Sequence, residues 1–255
     1  MKKIILTHLF FCILFSLKTN AQSPYELKPK KEALLLGTGI TTLGTARYLN
    51  GKMNTLTEME IAALQEEGIS GWEEWTTTQG SGTSNTISDV LLYSSQAFPV
   101  VMTMLDKKMR KDYLKIGALY SEVFLVNVGF TALVKNTVRR ARPFVYDPDE
   151  SLDKQMSKSA RTSFYSGHTS GTAAMCFLTA SIYEDYHPNG KWKTVIWTGA
   201  ATIPAVAGIM RMRAGKHFPS DVITGYVMGA AVGYFLPKIH LKKKKKEDSL
   251  SNVRY

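Results

Sequence analysis

Cysteine is almost absent from this chain: two among 255 residues, Cys12 and Cys176. Cys12 lies in an N-terminal stretch that reads as a removable leader, so Cys176 is left alone and an internal disulfide is excluded. Cys176 sits in an apolar segment and reads as a packing residue. Also missing is any clean run of the about 20 apolar residues that a membrane-crossing helix normally needs. No internal repeat and no metal-ligand cluster is visible. No nucleic-acid-binding motif appears either, which removes nucleic acid as a partner despite the basic balance. Acidic groups are the scarcer charge, 21 Asp and Glu against 32 Lys and Arg, for a formal net charge of +11. The length suffices for one domain with a sizeable core.

The leader is legible in its parts. Lys2-Lys3 is a short positive region, Ile4 to Leu17 an apolar core, and Thr19-Asn20-Ala21 places a small residue before the cut. Residues 1–21 are therefore expected to be a signal peptide cleaved after Ala21, or an uncleaved anchor. Residues 22–86 read as N-terminal helices and a flexible loop, 87–240 as a helical core, and 241–255 as a polybasic tail. Helical periodicity covers Ala33–Leu49, Thr57–Glu67 with Thr57 as its cap, Val90–Leu105, Leu114–Val134, Ser170–Tyr183, Thr194–Met210 and Val222–Leu236. Thr76 to Thr86, rich in Thr, Ser and Gly, reads as the flexible loop.

Three short segments carry chemistry. Lys135 and Arg142 are seven apart, which on a helix puts both on one face until Pro143 ends it. Ser166-Gly167-His168 precedes a stretch of small and apolar residues, Thr169 to Ile182, and so falls at a helix N-terminus, where free N–H groups favour an anion. Arg211 is followed by His217 and Asp221, four apart. A helix starting near Pro219 would bring the carboxylate beneath the imidazole and hold one ring nitrogen. Cationic forks, two histidines and a carboxylate suit phosphoryl transfer. Arg139, Arg140, Arg213 and Lys216, between these positions, read as a basic rim that attracts anions. Taken singly, Ser166 and Asp221 could equally be helix caps.

The segments KNTVRRARP (135–143), YSGH (165–168) and MRMRAGKHFPSD (210–221) resemble, in order and internal gaps, the three motifs of the type 2 phosphatidic acid phosphatase / vanadium haloperoxidase superfamily. Tyr165 stands where the family has proline and Met210 where it has serine. The resemblance implies an all-α helical bundle of about five to six membrane-embedded or membrane-associated helices. It implies a phosphatase in which His217 is the nucleophile, Asp221 orients it, and His168 protonates the leaving oxygen and then activates water. Lys135, Arg142, Ser166, Gly167 and Arg211 would hold the phosphate. It implies no cofactor and no metal.

The expected substrate is a phosphorylated lipid: a lipid A phosphate, undecaprenyl diphosphate or phosphatidylglycerophosphate. A soluble nonspecific periplasmic acid phosphatase, a vanadate-dependent haloperoxidase and a phosphate-binding module without turnover are the alternatives. If the motifs face the periplasm, Asp106 to Lys111, Lys191-Trp192-Lys193 and Lys242 to Lys246 all fall on the opposite side, as the positive-inside rule asks. The expected location is thus the inner membrane of a bacterial cell envelope with a periplasmic site, the alternative being a soluble periplasmic bundle. A cleaved leader fits this orientation only if Ala33–Leu49 falls short of a full crossing.

Overall fold

In the computed structural model, residues 23–69 and 71–242 are described. The leader with Cys12, and Lys243 onward of the polybasic tail, lie outside them. Among the described residues the fold is all-α, as expected, with one isolated antiparallel bridge between Tyr25 and Leu241. The helices are α1 Pro29–Gly51, α2 Glu58–Glu67, α3 Gly82–Leu105, α4 Tyr113–Val138, the single turn α5 Leu152–Gln155, α6 Gly167–Tyr186, α7 Lys193–Arg213 and α8 Pro219–Lys238.

Local signals explain most boundaries. Pro29 and Pro219 occupy first-turn positions, where a missing N–H costs nothing. Thr57 and Glu60 form a reciprocal capping box on α2. Two boundaries differ from expectation. The segment Gly82–Thr86, expected as flexible loop, is the first turn of α3, because the Ser81 hydroxyl accepts the Ser84 N–H. Ser81 N–H also donates to the Arg213 carbonyl, pinning this start to the end of α7. In turn α4 stops at Val138, four residues before Arg142, because Arg139 adopts a left-handed conformation with φ 55°. Lys135 and Arg142 therefore do not share a helical face.

α6 is the axis. Most of its 20 residues are buried, and it packs against α3, α4, α7 and α8. Its small side chains allow this. On α8, Gly225, Gly229 and Gly233 recur every fourth residue and face the α6 backbone. A Cβ at these positions would stand 2.6 Å from the Ser166 carbonyl oxygen, 2.1 Å from that of Ser170 and 2.2 Å from that of Ala174. Small residues at this spacing let two helix backbones approach closely.

α1 runs beside and parallel to α4, and Asn50 donates to Asn136 at 2.9 Å near their C-terminal ends. Its 23 residues make about 34 Å at 1.5 Å per residue, but among the described residues it is not one of the helices apolar enough, by length and composition, to cross a membrane. The ends of α1, α4 and α7 and the starts of α3, α6 and α8 meet at one end of the bundle. Lys107–Lys111, Lys191–Lys193 and Lys242 collect at the other. Two stretches, Met109–Val145 and Lys193–Arg213, are long and apolar enough to cross a membrane by length and composition. Apolar side chains also point outward, among them Val90, Tyr93, Val195, Val206, Ile223 and Val227.

The α6–α8 approach gives a paired test. Gly229→Ala should lower stability by about 1–3 kcal/mol through overpacking. Gly117→Ala, on α4 with nothing near its added methyl, should be neutral or raise stability by up to about 1 kcal/mol. Thermal unfolding in detergent reads both; equal effects would refute the close backbone contact.

Candidate active site

The loops at the motif end bring the three segments together around His217, which is 1% exposed. The last turn of α4 supplies Lys135, whose Nζ donates to the carbonyls of Thr162 at 2.5 Å and Ser163 at 3.2 Å. Arg142 reaches the same place from the loop after α4. Its guanidinium donates to the carbonyls of Ser159 at 2.8 Å, Lys216 at 3.2 Å and Thr162 at 3.4 Å. Arg211, in the last turn of α7, is 5% exposed and donates to Asn85 Oδ1 at 2.8 Å. Among the described residues its Nε is buried without a partner.

Among the described residues neither Lys135 nor Arg142 forms a salt bridge. Their partners are carbonyl oxygens, which hold a cation in place without neutralising it. The field is visible in three groups outside the long helices. Burial first, and then the charges of Lys135, Arg142, Arg211 and His168, hold His217 well below the ordinary 6.5, so its imidazole is neutral. Burial and then Lys154, Arg142 and Arg211 push Lys216 down to about 8. Burial and then Arg211 push Arg142 down to about 10, where it is still charged at neutral pH. A half-buried site with surplus positive charge is an anion site.

Asp221 is fully buried in the first turn of α8. Its Oδ2 accepts from Ser163 Oγ at 2.5 Å and from the Phe218 N–H at 2.9 Å; its Oδ1 accepts from Arg140 Nη1 at 2.8 Å. His217 Nδ1 lies 3.6 Å from Oδ2, in ion-pair range but beyond a hydrogen bond. The carboxylate is thus both a helix cap and the neighbour of the imidazole. The expected hydrogen bond to the ring is not formed, because Ser163 and the backbone occupy that oxygen.

The other expected residues are also here. Gly167 opens α6 beside Lys135, with room for only an ordinary contact: a Cβ would stand 3.6 Å from Lys135 Cε. Ser166 is the N-cap of α6; its hydroxyl is buried and accepts from the Thr169 N–H at 3.3 Å. The hydroxyl therefore faces the helix, and the capping reading describes its observed contacts. Tyr165, at the proline position of the motif, is buried, and its hydroxyl accepts from Thr131 Oγ1 at 3.1 Å. His168, in the first turn of α6, has Nε2 2.7 Å from Asp89 Oδ1.

Two groups escape the sequence reading. Asp89 on α3 pairs with His168 and lies 3.9 Å from Arg211. Arg140 is not a rim residue: it bridges Asp221 and Glu73, the latter at 2.6 Å, and Glu73 in turn accepts from the Ser220 hydroxyl at 2.6 Å. Arg139 and Arg213 are exposed, as a rim would be.

A family model described as the PAP2 superfamily matches residues 117–245. Phospholipid phosphatase 1 of Rattus norvegicus is 29% identical over 149 residues, 47% of this chain and 52% of that protein. Lipid A 4'-phosphatase of Porphyromonas gingivalis is 27% identical over 138 residues, 53% of this chain and 55% of that protein. The chain thus spans about half the length of these curated relatives. The solved structure of a transmembrane PAP2-type phosphatidylglycerolphosphate phosphatase from Bacillus subtilis superposes with a TM-score of 0.49 at 16% identity, covering 85% of this chain and 99% of that one.

The geometry predicts two outcomes. By NMR of labelled histidine, His217 should titrate below 6.5, and Lys135→Met should move it upward; titration at or above the ordinary value would refute the field. Because the unfolded chain binds the proton more readily, this group makes stability decline as pH falls below 6.5. Arg140→Met, which leaves buried Asp221 short of a partner, should destabilise the fold. The cost should be at or below the about 3–5 kcal/mol of a broken buried pair, since Arg140 is 25% exposed. An unchanged melting temperature would remove Arg140 from the network.

Proposed function

The chain belongs to the PAP2 superfamily, and from that premise we propose that it is a membrane-embedded phosphatase that removes a terminal phosphate from a lipid. The observation that carries the lipid part is an apolar groove of about 300 Å³ between α3 and α4, lined by Leu92, Tyr93, Phe124, Val128 and Met175, that ends on Lys135 and Gly167. A chain lying in this groove would bring its phosphate to the cations from the side of the bundle. The outward apolar side chains of α3, α7 and α8 support a lipid surround.

The chemistry follows from the charges and hydrogen bonds. Lys135, Arg142 and Arg211, with the N–H groups at the start of α6, hold the phosphate oxygens and oppose the charge that builds on them. His217 Nε2 attacks phosphorus, and the Asp221 carboxylate, 3.6 Å from Nδ1, stabilises the positive charge that the ring gains as it does so. The N–P bond forms as the P–O bond to the lipid breaks. His168 passes a proton to the departing oxygen. Water then attacks phosphorus, His168 takes its proton, and the N–P bond breaks to release phosphate. Asp89 orients the His168 ring through Nε2, leaving Nδ1 to carry the proton.

The basic residues collected at the end opposite the site support a site on the non-cytosolic side. Lipid A phosphate, undecaprenyl diphosphate and phosphatidylglycerophosphate are the candidate substrates. Purified protein in detergent, offered these three lipids and a soluble aryl phosphate, should release phosphate mainly from a lipid. His217→Ala should cut release at least about 1000-fold, and Arg142→Lys about 100-fold despite equal charge, because a fork is lost. Val128→Trp should raise KM for the lipid and spare the aryl ester. Preference for the soluble ester would overturn the lipid reading in favour of a nonspecific phosphatase.

A further inference from the structure

At the opposite end of the bundle three side chains from distant parts of the chain converge. They are Glu32 in the first turn of α1, Glu122 on α4 and His240 just after α8. One ligand atom from each lies within 4.8 Å of the others. Glu122 is 0% and His240 1% exposed, and Glu32 is 9%. His240 Nε2 stands 3.0 Å from Glu122 Oε2, and Nδ1 stands 3.4 Å from Glu32 Oε1. Yet none of these contacts has hydrogen-bond geometry: among the described residues, both oxygens of Glu122, Oε2 of Glu32 and both ring nitrogens of His240 are buried without a hydrogen-bond partner. No cluster of this kind is legible in the sequence, because its members are 90 and 118 residues apart.

Charge sharpens the anomaly. Among the described residues neither carboxylate pairs with a Lys or Arg, and the only acceptor bond made is from the Lys28 N–H to Glu32 Oε1 at 2.9 Å. Two carboxylates beside a neutral imidazole carry two negative charges in a buried space. Even an imidazolium leaves one uncompensated unless a carboxyl also takes up a proton, and buried charge of that kind is strongly unfavourable. A divalent cation with a neutral imidazole brings the set to zero. Two carboxylate oxygens and one imidazole nitrogen are a donor set for a first-row divalent ion such as zinc or manganese, with positions left for water.

We infer that Glu32, Glu122 and His240 form a structural binding site for a divalent transition-metal ion. The site joins the entry of α1 and the turn after α8 to the middle of α4. It reinforces contacts already there, the Tyr25–Leu241 bridge and the Glu26 N–H to the His240 carbonyl at 2.8 Å. A surface cavity of about 340 Å³ lies beside His240. Glu122 precedes Lys135 by 13 residues on α4, about 20 Å along the helix, so the ion stands apart from the phosphate chemistry.

The test is elemental analysis of the full chain purified in detergent with a tag free of histidine, after growth with zinc and manganese. Wild type should carry one ion per chain, and Glu122→Gln and His240→Ala should each bind it at least about 10-fold more weakly. Chelator-treated wild type should melt at a lower temperature and recover with added zinc or manganese, so a variant that fails to fold leaves the question answerable. Wild type without bound metal, and with a melting temperature indifferent to chelator and to both ions, would overturn the site. Neither readout depends on phosphatase activity.

Discussion

A single buried carboxylate ties the motif end together. Asp221 receives a hydroxyl from the loop before α6, a guanidinium from the loop after α4 and a backbone N–H from the start of its own helix. Its backbone carbonyl accepts the Ser166 N–H at 3.0 Å. A fully buried anion must find such partners or lose its charge. The need to satisfy it therefore fixes three loops relative to one another, and with them His217. Glu73 extends the arrangement outward by holding Arg140 and Ser220, so the short helical turn before α3 also belongs to the site.

The close packing of α8 on α6 is what makes this convergence possible. The glycines of α8 admit the α6 backbone, and α6 in turn is small enough to be surrounded by four helices. The cost of that geometry is a core with many polar atoms. Ser170 on α6 donates to Asn127 at 2.6 Å, and Thr169, Thr172 and Ser181 are wholly buried. The gain is an opening that separates charge from apolar surface. Lys135, held by carbonyl oxygens, stands at one end of the α3–α4 groove, and mostly aliphatic and aromatic side chains line the rest. That division of labour suits a molecule with an anionic head and an apolar tail.

Much of this was legible in sequence wherever a signal is local. The capping box of α2, the start of α8 at Pro219, Ser166 at the head of α6 and the four-residue gap between His217 and Asp221 all depend on neighbours in the chain. What was not legible depends on partners far away. Arg140 looks like one basic residue among several until Glu73 and Asp221 surround it. Asp89 carries no motif; only the packing of α3 on α6 brings it to His168. The first turn of α3 reads as loop because Gly82, Thr83 and Ser84 are weak helix formers, and the Ser81 cap and the bond to Arg213 override them. The left-handed Arg139 hides the true end of α4, since nothing in a run of basic residues announces it. The buried Glu32–Glu122–His240 group is the extreme case, three residues with no spacing in common.

The central claim is that the neutral, cation-flanked His217 takes the phosphate covalently. Rapid quenching of the enzyme during turnover of a lipid carrying labelled phosphate tests it most directly. The account predicts a protein-bound label that survives base, is lost in acid and maps to the peptide containing His217. Efficient turnover with no such label, or with the label on another residue, would contradict it.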